Sequence, residues 1–277
     1  MPTPHFLKHF DQANLRLRLV SSAIIAPLTL FVVYLGGLAY GALVTCVVTI
    51  GLYEWLRLIV PKARELLVGI ACAMLIVVMM MGSLFSAKLG FVLSVLLTLA
   101  LFFVAWRQGD RNAIWIALGI PYLGGSGLAL LALRAMPGCG AGLIVYLLMT
   151  VWGTDIGAFA AGRLIGGPKL VPSISPSKTW AGLGGGIALA ATLGYLTGLM
   201  LGARSPGAAL ILSPVVACVA QVGDVFESYF KRRAGVKESG DLIPGHGGVL
   251  DRIDGLVFAA LFVFIFQALI GGTIQWW

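Results

Sequence analysis

Long apolar runs dominate the chain, and short polar segments separate them. Nine such runs can be drawn, at about 19–36, 38–57, 66–84, 89–105, 113–132, 141–161, 180–201, 207–226 and 250–273. Each approaches the roughly 20 residues that a helix needs to cross a hydrocarbon layer about 30 Å thick. Backbone groups in lipid must find partners within the segment or in a closed barrel. The runs are continuous rather than alternating, so helices are the solution they predict. The expected fold is all-α: one polytopic membrane bundle of about nine spans over residues 1–277, with no soluble domain. Within it, residues 1–140 are expected to form lipid-facing or scaffold helices, and 141–277 the catalytic helices and loops. The first run follows basic residues, as a signal peptide's does. It is too long for a signal core, and we read it as a retained span. Pro27, Pro121 and Pro214 fall inside spans and are expected to kink them. Gly182, Gly184, Gly185 and Gly186 open the seventh span, where small residues let helices approach closely.

Composition supports this pattern. The chain is 59% hydrophobic and 11% charged, against about 25% charged in a soluble domain. Its net charge is +8, which in this setting points to cytoplasmic loops and anionic head groups rather than nucleic acid. With the N-terminus placed inside, one side receives Lys8, Arg16, Arg18, Arg57, Lys62, Arg64, Arg107, Arg111, Arg163, Lys169, Lys178, Lys231, Arg232, Arg233, Lys237 and Arg252. Only Lys88, Arg134 and Arg204 of the 19 Lys and Arg fall on the other. So lopsided a division predicts nine spans, N-terminus in and C-terminus out, with Trp276 and Trp277 at the outer interface. Cys46, Cys72, Cys139 and Cys218 have no metal-ligand spacing and are read as packing residues.

The acids are distributed unevenly. Six of the eleven lie between Asp224 and Asp254: those two with Glu227, Glu238, Asp241 and Asp251. Asp224, Glu227 and Ser228 share a face of the eighth span, and Asp251 and Asp254 share a face of the ninth. Successive spans are antiparallel, so these carboxylates are expected at one depth near the cytoplasmic boundary. Four acids packed together repel unless cations lie between them. Oxygen ligands without His or Cys companions suit Mg²⁺, with room for a second cation. Asp224, Glu227, Asp251 and Asp254 are the metal candidates. Between the two helices run Lys231-Arg232-Arg233, Lys237, Pro244 and Gly245-His246-Gly247-Gly248. Basic side chains hold phosphate oxygens, and glycines let backbone N–H groups come close. Carboxylate-held metal beside such a loop is how phosphoryl and nucleotidyl transfer sites are built. A second cluster, Ser173 and Ser175-Pro176-Ser177-Lys178-Thr179-Trp180, lies in the preceding loop on the same side and can hold an anion at a helix start. Asp155, an acid within the sixth span, is a functional candidate by its position alone.

The stretch from Ser228 through Phe230-Lys231-Arg232, Lys237-Glu238, Gly240, Ile243-Pro244, His246-Gly247-Gly248-Val249 to Asp251-Arg252-Ile253-Asp254 resembles the signature of the phosphatidate cytidylyltransferase (CDP-diacylglycerol synthase) family. The Ser-Pro-x-Lys-Thr stretch, the multi-span architecture and the length are similar too. The chain departs from the family pattern at Glu238, where the family has Asp. It also has Ser177 where Lys is common, and Ala181 where Glu is common. The resemblance implies transfer of CMP from CTP to phosphatidate in the bilayer, giving CDP-diacylglycerol and pyrophosphate. It implies catalytic roles for Asp224, Asp251, Asp254, Lys231, Arg232 and His246. Substrate contacts would come from Ser175, Ser177, Lys178, Thr179, Lys237, Gly247, Gly248, Arg252 and Asp155. The expected setting is a bacterial inner membrane with the site facing the cytoplasm; a homodimer is left open. A secondary transporter is the main rival, but it would place its acids near the midplane and often shows inverted repeats, and none is found here. A lipid kinase or another CTP-dependent lipid-phosphate transferase is the nearer alternative.

Overall fold

A computed structural model describes residues 12–60, 65–243, 247–270 and 277, the side chains of 12–19 and 270 excepted. Lys8, Lys62, Arg64, Pro244, Gly245, His246 and Trp276, and the side chains of Arg16 and Arg18, lie outside the described residues. The helices are α1 (Gln12–Leu35), α2 (Gly37–Ile59), α3 (Glu65–Leu84), α4 (Ala87–Arg107), α5 (Ala113–Gly119), α6 (Gly125–Arg134), α7 (Gly140–Leu164), α8 (Trp180–Met200), α9 (Pro206–Arg233) and α10 (Leu250–Ile270). Among the described residues, eight helical segments are long and apolar enough to cross a membrane. They correspond to the second through ninth predicted spans. The first prediction falls on α1, whose described apolar stretch is Val20–Leu35.

The fifth span is one passage in three pieces. A π-helical turn, Ile120–Gly124, joins α5 to α6. Pro121 lies in this turn and lacks the N–H that an α-helical turn would donate, so the wider turn forms where the bond is missing. A short antiparallel hairpin departs from the helical expectation. It consists of β1 (Lys169–Val171) and β2 (Ser175–Thr179), and it follows α7 and leads directly into α8. Two of the cysteines read as packing residues, Cys46 and Cys218, are exposed on the perimeter of the bundle instead.

The glycines of α8 bring it against α7. A Cβ on Gly185 would stand 2.2 Å from Ala161 Cβ and 2.8 Å from the Gly157 carbonyl, while one on Gly186 would stand 2.8 Å from the Thr154 carbonyl. Backbones this close gain dispersion contacts that no larger residue permits. At the next crossing, a Cβ on Gly223 of α9 would lie 2.4 Å from the Asp254 carbonyl of α10, and one on Gly255 would lie 3.2 Å from that of Ala220. The core between α2 and α9 is aromatic. Trp55 is fully buried, stacks on Phe226 at 5.8 Å, meets Phe230 edge-on at 4.6 Å, and donates its indole N–H to the Trp115 carbonyl at 3.0 Å.

The α7–α8 crossing gives a direct test. Gly185→Ala forces an overlap that costs about 1–3 kcal/mol and is expected to lower the thermal midpoint in detergent. Gly184→Ala, whose Cβ meets nothing within 4 Å, is expected to leave it unchanged. Equal midpoints would remove the close approach as a stabilising contact.

Candidate active site

The site gathers where α7, the hairpin, α9 and α10 meet. Because Gly223 and Gly255 let α9 and α10 nearly touch, the residues beside them, Asp224 and Asp254, share one level. Asp254 lies within electrostatic reach of Asp224, Glu227 and Asp155, and Asp155 within reach of Asp224, Lys178 and Arg252. From β2, Lys178 donates to Gln221 Oε1 at 2.9 Å and to Asp224 Oδ2. Ser228 completes the shared face predicted for α9, donating to Asp224 Oδ1 at 3.2 Å.

Nearer the C-terminal end of α9, Lys231 Nζ stands 2.5 Å from both Glu227 Oε2 and Asp251 Oδ1. The sequence placed Lys231, Arg232 and Arg233 in the connecting loop. They form instead the last turn of α9. Two causes are visible: cations complement the partial negative charge of a helix C-terminus, and Lys231 pairs with Glu227 one helical turn back. Asp251 Oδ2 accepts from Ser239 N at 2.9 Å, Ser239 Oγ at 3.0 Å and Gly248 N at 2.9 Å. Asp251 therefore faces the loop and Lys231, while Asp224, Glu227 and Asp254 face one another across the α9–α10 seam.

The remaining sequence candidates take distinct places. Thr179 is buried and caps α8, accepting from Gly182 N at 3.0 Å, so its hydroxyl serves the helix. Ser175 is buried, whereas Ser177 is exposed on β2. Arg232 ties the hairpin turn to the loop beyond α9, donating to the carbonyls of Ile174 and Val236, each at 3.2 Å. Lys237 and Arg252 are exposed. Gly247 adopts φ +80°, which explains glycine there, and its carbonyl accepts from Ile243 N at 2.9 Å.

Three further residues were not singled out from the sequence. Gln221 shares Lys178 with Asp224, and Ser239 is held by Asp251. Glu54 of α2, only 4% exposed, accepts from Val249 N at 3.0 Å, Leu250 N at 2.7 Å and Ser239 Oγ at 3.0 Å. An acid this close to the end of an apolar helix is itself a signal, the same one that marked Asp155.

The donor set suits a hard divalent cation. Glu227 is wholly buried, and its Oε1 has no hydrogen-bond donor. The carboxyl of Asp254 lies against it. Two ionised carboxylates offer each other only acceptors, so a proton or a cation must stand between them. Among the described residues, no three His, Cys, Asp or Glu side chains converge as a finished ligand set, and Lys178 and Lys231 hold oxygens of Asp224 and Glu227.

Lys231 is the cation common to two buried acids. Lys231→Met leaves both uncompensated, a change that costs about 3–5 kcal/mol and is expected to lower the thermal midpoint in detergent sharply. Adding Glu227→Gln is expected to recover part of the loss. No recovery in the double variant would show that the pair does not act as a unit.

A sequence model described as the cytidylyltransferase family matches residues 16–270. A phosphatidate cytidylyltransferase from Brucella melitensis is 37% identical over 261 residues, covering 93% of this chain and 94% of the relative. Proteins of the same name from Pseudomonas aeruginosa and Bacillus subtilis are 36% and 30% identical, covering 89% and 92% of this chain and 96% and 98% of their own lengths. The chain thus belongs to the cytidylyltransferase family.

Proposed function

We propose that this integral membrane enzyme transfers CMP from CTP to phosphatidate, giving CDP-diacylglycerol and pyrophosphate, at the cytoplasmic face of a bacterial inner membrane. One observation carries the reading: acids and lysines from α7, β2, α9 and α10 meet at one end of the bundle, in a chain matched by the family over nearly its whole length. Phosphatidate is a phosphate monoester whose second pKa lies near that of phosphoserine, about 6. It is largely a dianion at neutral pH and needs no strong general base. One of its oxygens attacks the α-phosphorus of CTP as the bond to the bridging oxygen of the β-phosphate breaks, and pyrophosphate leaves with that electron pair.

The protein's task is to bring two polyanions together and oppose their charge. Lys178 and Arg252, beside Asp155 and Asp224, are placed to hold phosphate oxygens. Lys237 and Ser177 extend that polar surface. Asp224 and Asp254, with Glu227, would hold Mg²⁺, which when bound neutralises charge on the phosphates. Asp251 keeps the loop and Lys231 in register. The cytoplasmic orientation is supported by the charge asymmetry: by alternation of the spans, Lys88, Arg134 and Arg204 fall opposite the hairpin and the α9–α10 loop.

CTP labelled at the α-phosphorus, incubated with phosphatidate vesicles and the purified full chain, is expected to move label into the lipid phase and release pyrophosphate. EDTA is expected to stop the transfer and added Mg²⁺ to restore it. Transfer that persists in EDTA would overturn the metal reading, and label transfer from ATP but not CTP would overturn the substrate reading. Asp224→Asn and Asp254→Asn are each expected to lower turnover at least about 100-fold with an unchanged elution profile. Full turnover in either variant would remove that residue from the mechanism.

A further inference from the structure

The glycines of the loop before α10 have an unexpected neighbour. A Cβ on Gly240 would stand 2.7 Å from Glu54 Oε1; one on Gly248 would stand 2.5 Å from Glu54 Oε2 and 2.1 Å from Ser239 Oγ. These positions are small because a carboxylate from α2, almost two hundred residues earlier in the chain, fills the space beside them.

That carboxylate is fully engaged. Val249 N and Leu250 N, which it accepts at 3.0 and 2.7 Å, are donors at the first turn of α10, where a helix has no internal partners for its N–H groups. A negative charge there is also favoured by the helix dipole. Ser239 Oγ lies 3.0 Å from Glu54 Oε2 and 3.0 Å from Asp251 Oδ2, so its one proton is shared between Glu54 and the acid that holds Lys231. Trp55, the next residue in α2, is locked between Phe226 and Phe230 of α9. The segment bearing Glu54 is therefore fixed against one helix of the site while its carboxylate grips the start of the other.

We propose that Glu54 is a positioning residue for the transfer reaction: it pins the first turn of α10 and the loop before it, and through them sets Asp251, Arg252 and Asp254 relative to α9. This rests on the CMP-transfer reading. Among the described residues, Glu54 hydrogen-bonds the site through Ser239 and the backbone of Val249 and Leu250. The region before residue 140 thus supplies part of the site's framework as well as membrane-embedded bulk.

The test uses the full chain in detergent–phosphatidate micelles. Glu54→Ala and Glu54→Gln are expected to lower kcat about 10- to 100-fold, with the KM for CTP changed by less than about threefold. The Gln variant turns an amide donor toward backbone donors. Glu54→Asp keeps the charge on a shorter stem and is expected to recover part of kcat. Hydrogen exchange at the amides of Val249 and Leu250 is expected to quicken about tenfold or more in Glu54→Ala. If Glu54→Ala does not fold, the Gln and Asp variants carry the comparison. Parent-like kcat in folded variants, or a loss that merely follows the folded fraction, would overturn the proposal. If the parent chain itself fails to transfer CMP, the functional reading falls, and the exchange measurement alone decides the clamp: unchanged exchange ends it.

Discussion

Lys231 is the ammonium on which the end of the bundle depends. Four acids from two helices cannot be packed beside hydrocarbon unless their charge is opposed, and desolvating an ion costs several kcal/mol even after relaxation. Lys231 answers this by reaching from α9 to Glu227 on its own helix and to Asp251 on the next. It cross-links α9 and α10 nearer the C-terminal end of α9 than the place where their backbones nearly touch, and it holds one oxygen of Asp251. With Asp251 turned toward the loop, Asp254 is the acid of that pair left facing Asp224 and Glu227.

The close crossing and the charge pairing need each other. Gly223 and Gly255 bring the two helices within a distance that places carboxylates face to face. Without lysines that proximity would drive the helices apart; without the glycines Lys231 could not span both. Glu54 adds a third constraint from α2, holding the first turn of α10 where Lys231 can reach Asp251. The aromatic stack around Trp55 sets the depth at which Glu54 acts. Packing in the apolar layer and hydrogen bonding at its edge thus fix the same register.

Much of this was legible in the sequence, for particular physical reasons. Spans are set by length and hydropathy, so α2 to α8 and α10 lie close to their predicted bounds. The i,i+3 and i,i+4 relations among Asp224, Glu227 and Ser228 follow from helix geometry, and the glycines of α8 announced a close contact. What escaped depended on partners distant in the chain. The separate directions of Asp251 and Asp254 depend on Lys231 and Ser239, which periodicity does not position. The hairpin before α8 is too short to give an alternating pattern. The extension of α9 through Arg233 was missed because its charged last turn was read as loop. Glu54 had a usable signal, an acid within an apolar run, but its partners are backbone N–H groups that no motif displays.

Thr179 and Lys178, neighbours on β2, take different partners. A helix N-terminus after a hydroxyl-rich loop invites an anion, and α8 has that form. Yet Thr179 answers the N–H of Gly182 with its own hydroxyl, so one of the donors an anion would use is already taken. Lys178, next to it on β2, points the other way, toward Gln221 and Asp224. Alternation along the strand produces this split: neighbouring side chains face opposite sides, so one serves the helix and the other the site. An ammonium has three donors, and two of them are engaged by Gln221 and Asp224. On the CMP-transfer proposal the third donor would be the hairpin's contribution to a phosphate, and Gln221, which holds the ammonium from a neutral oxygen, keeps it in place without adding a negative charge that would repel that phosphate.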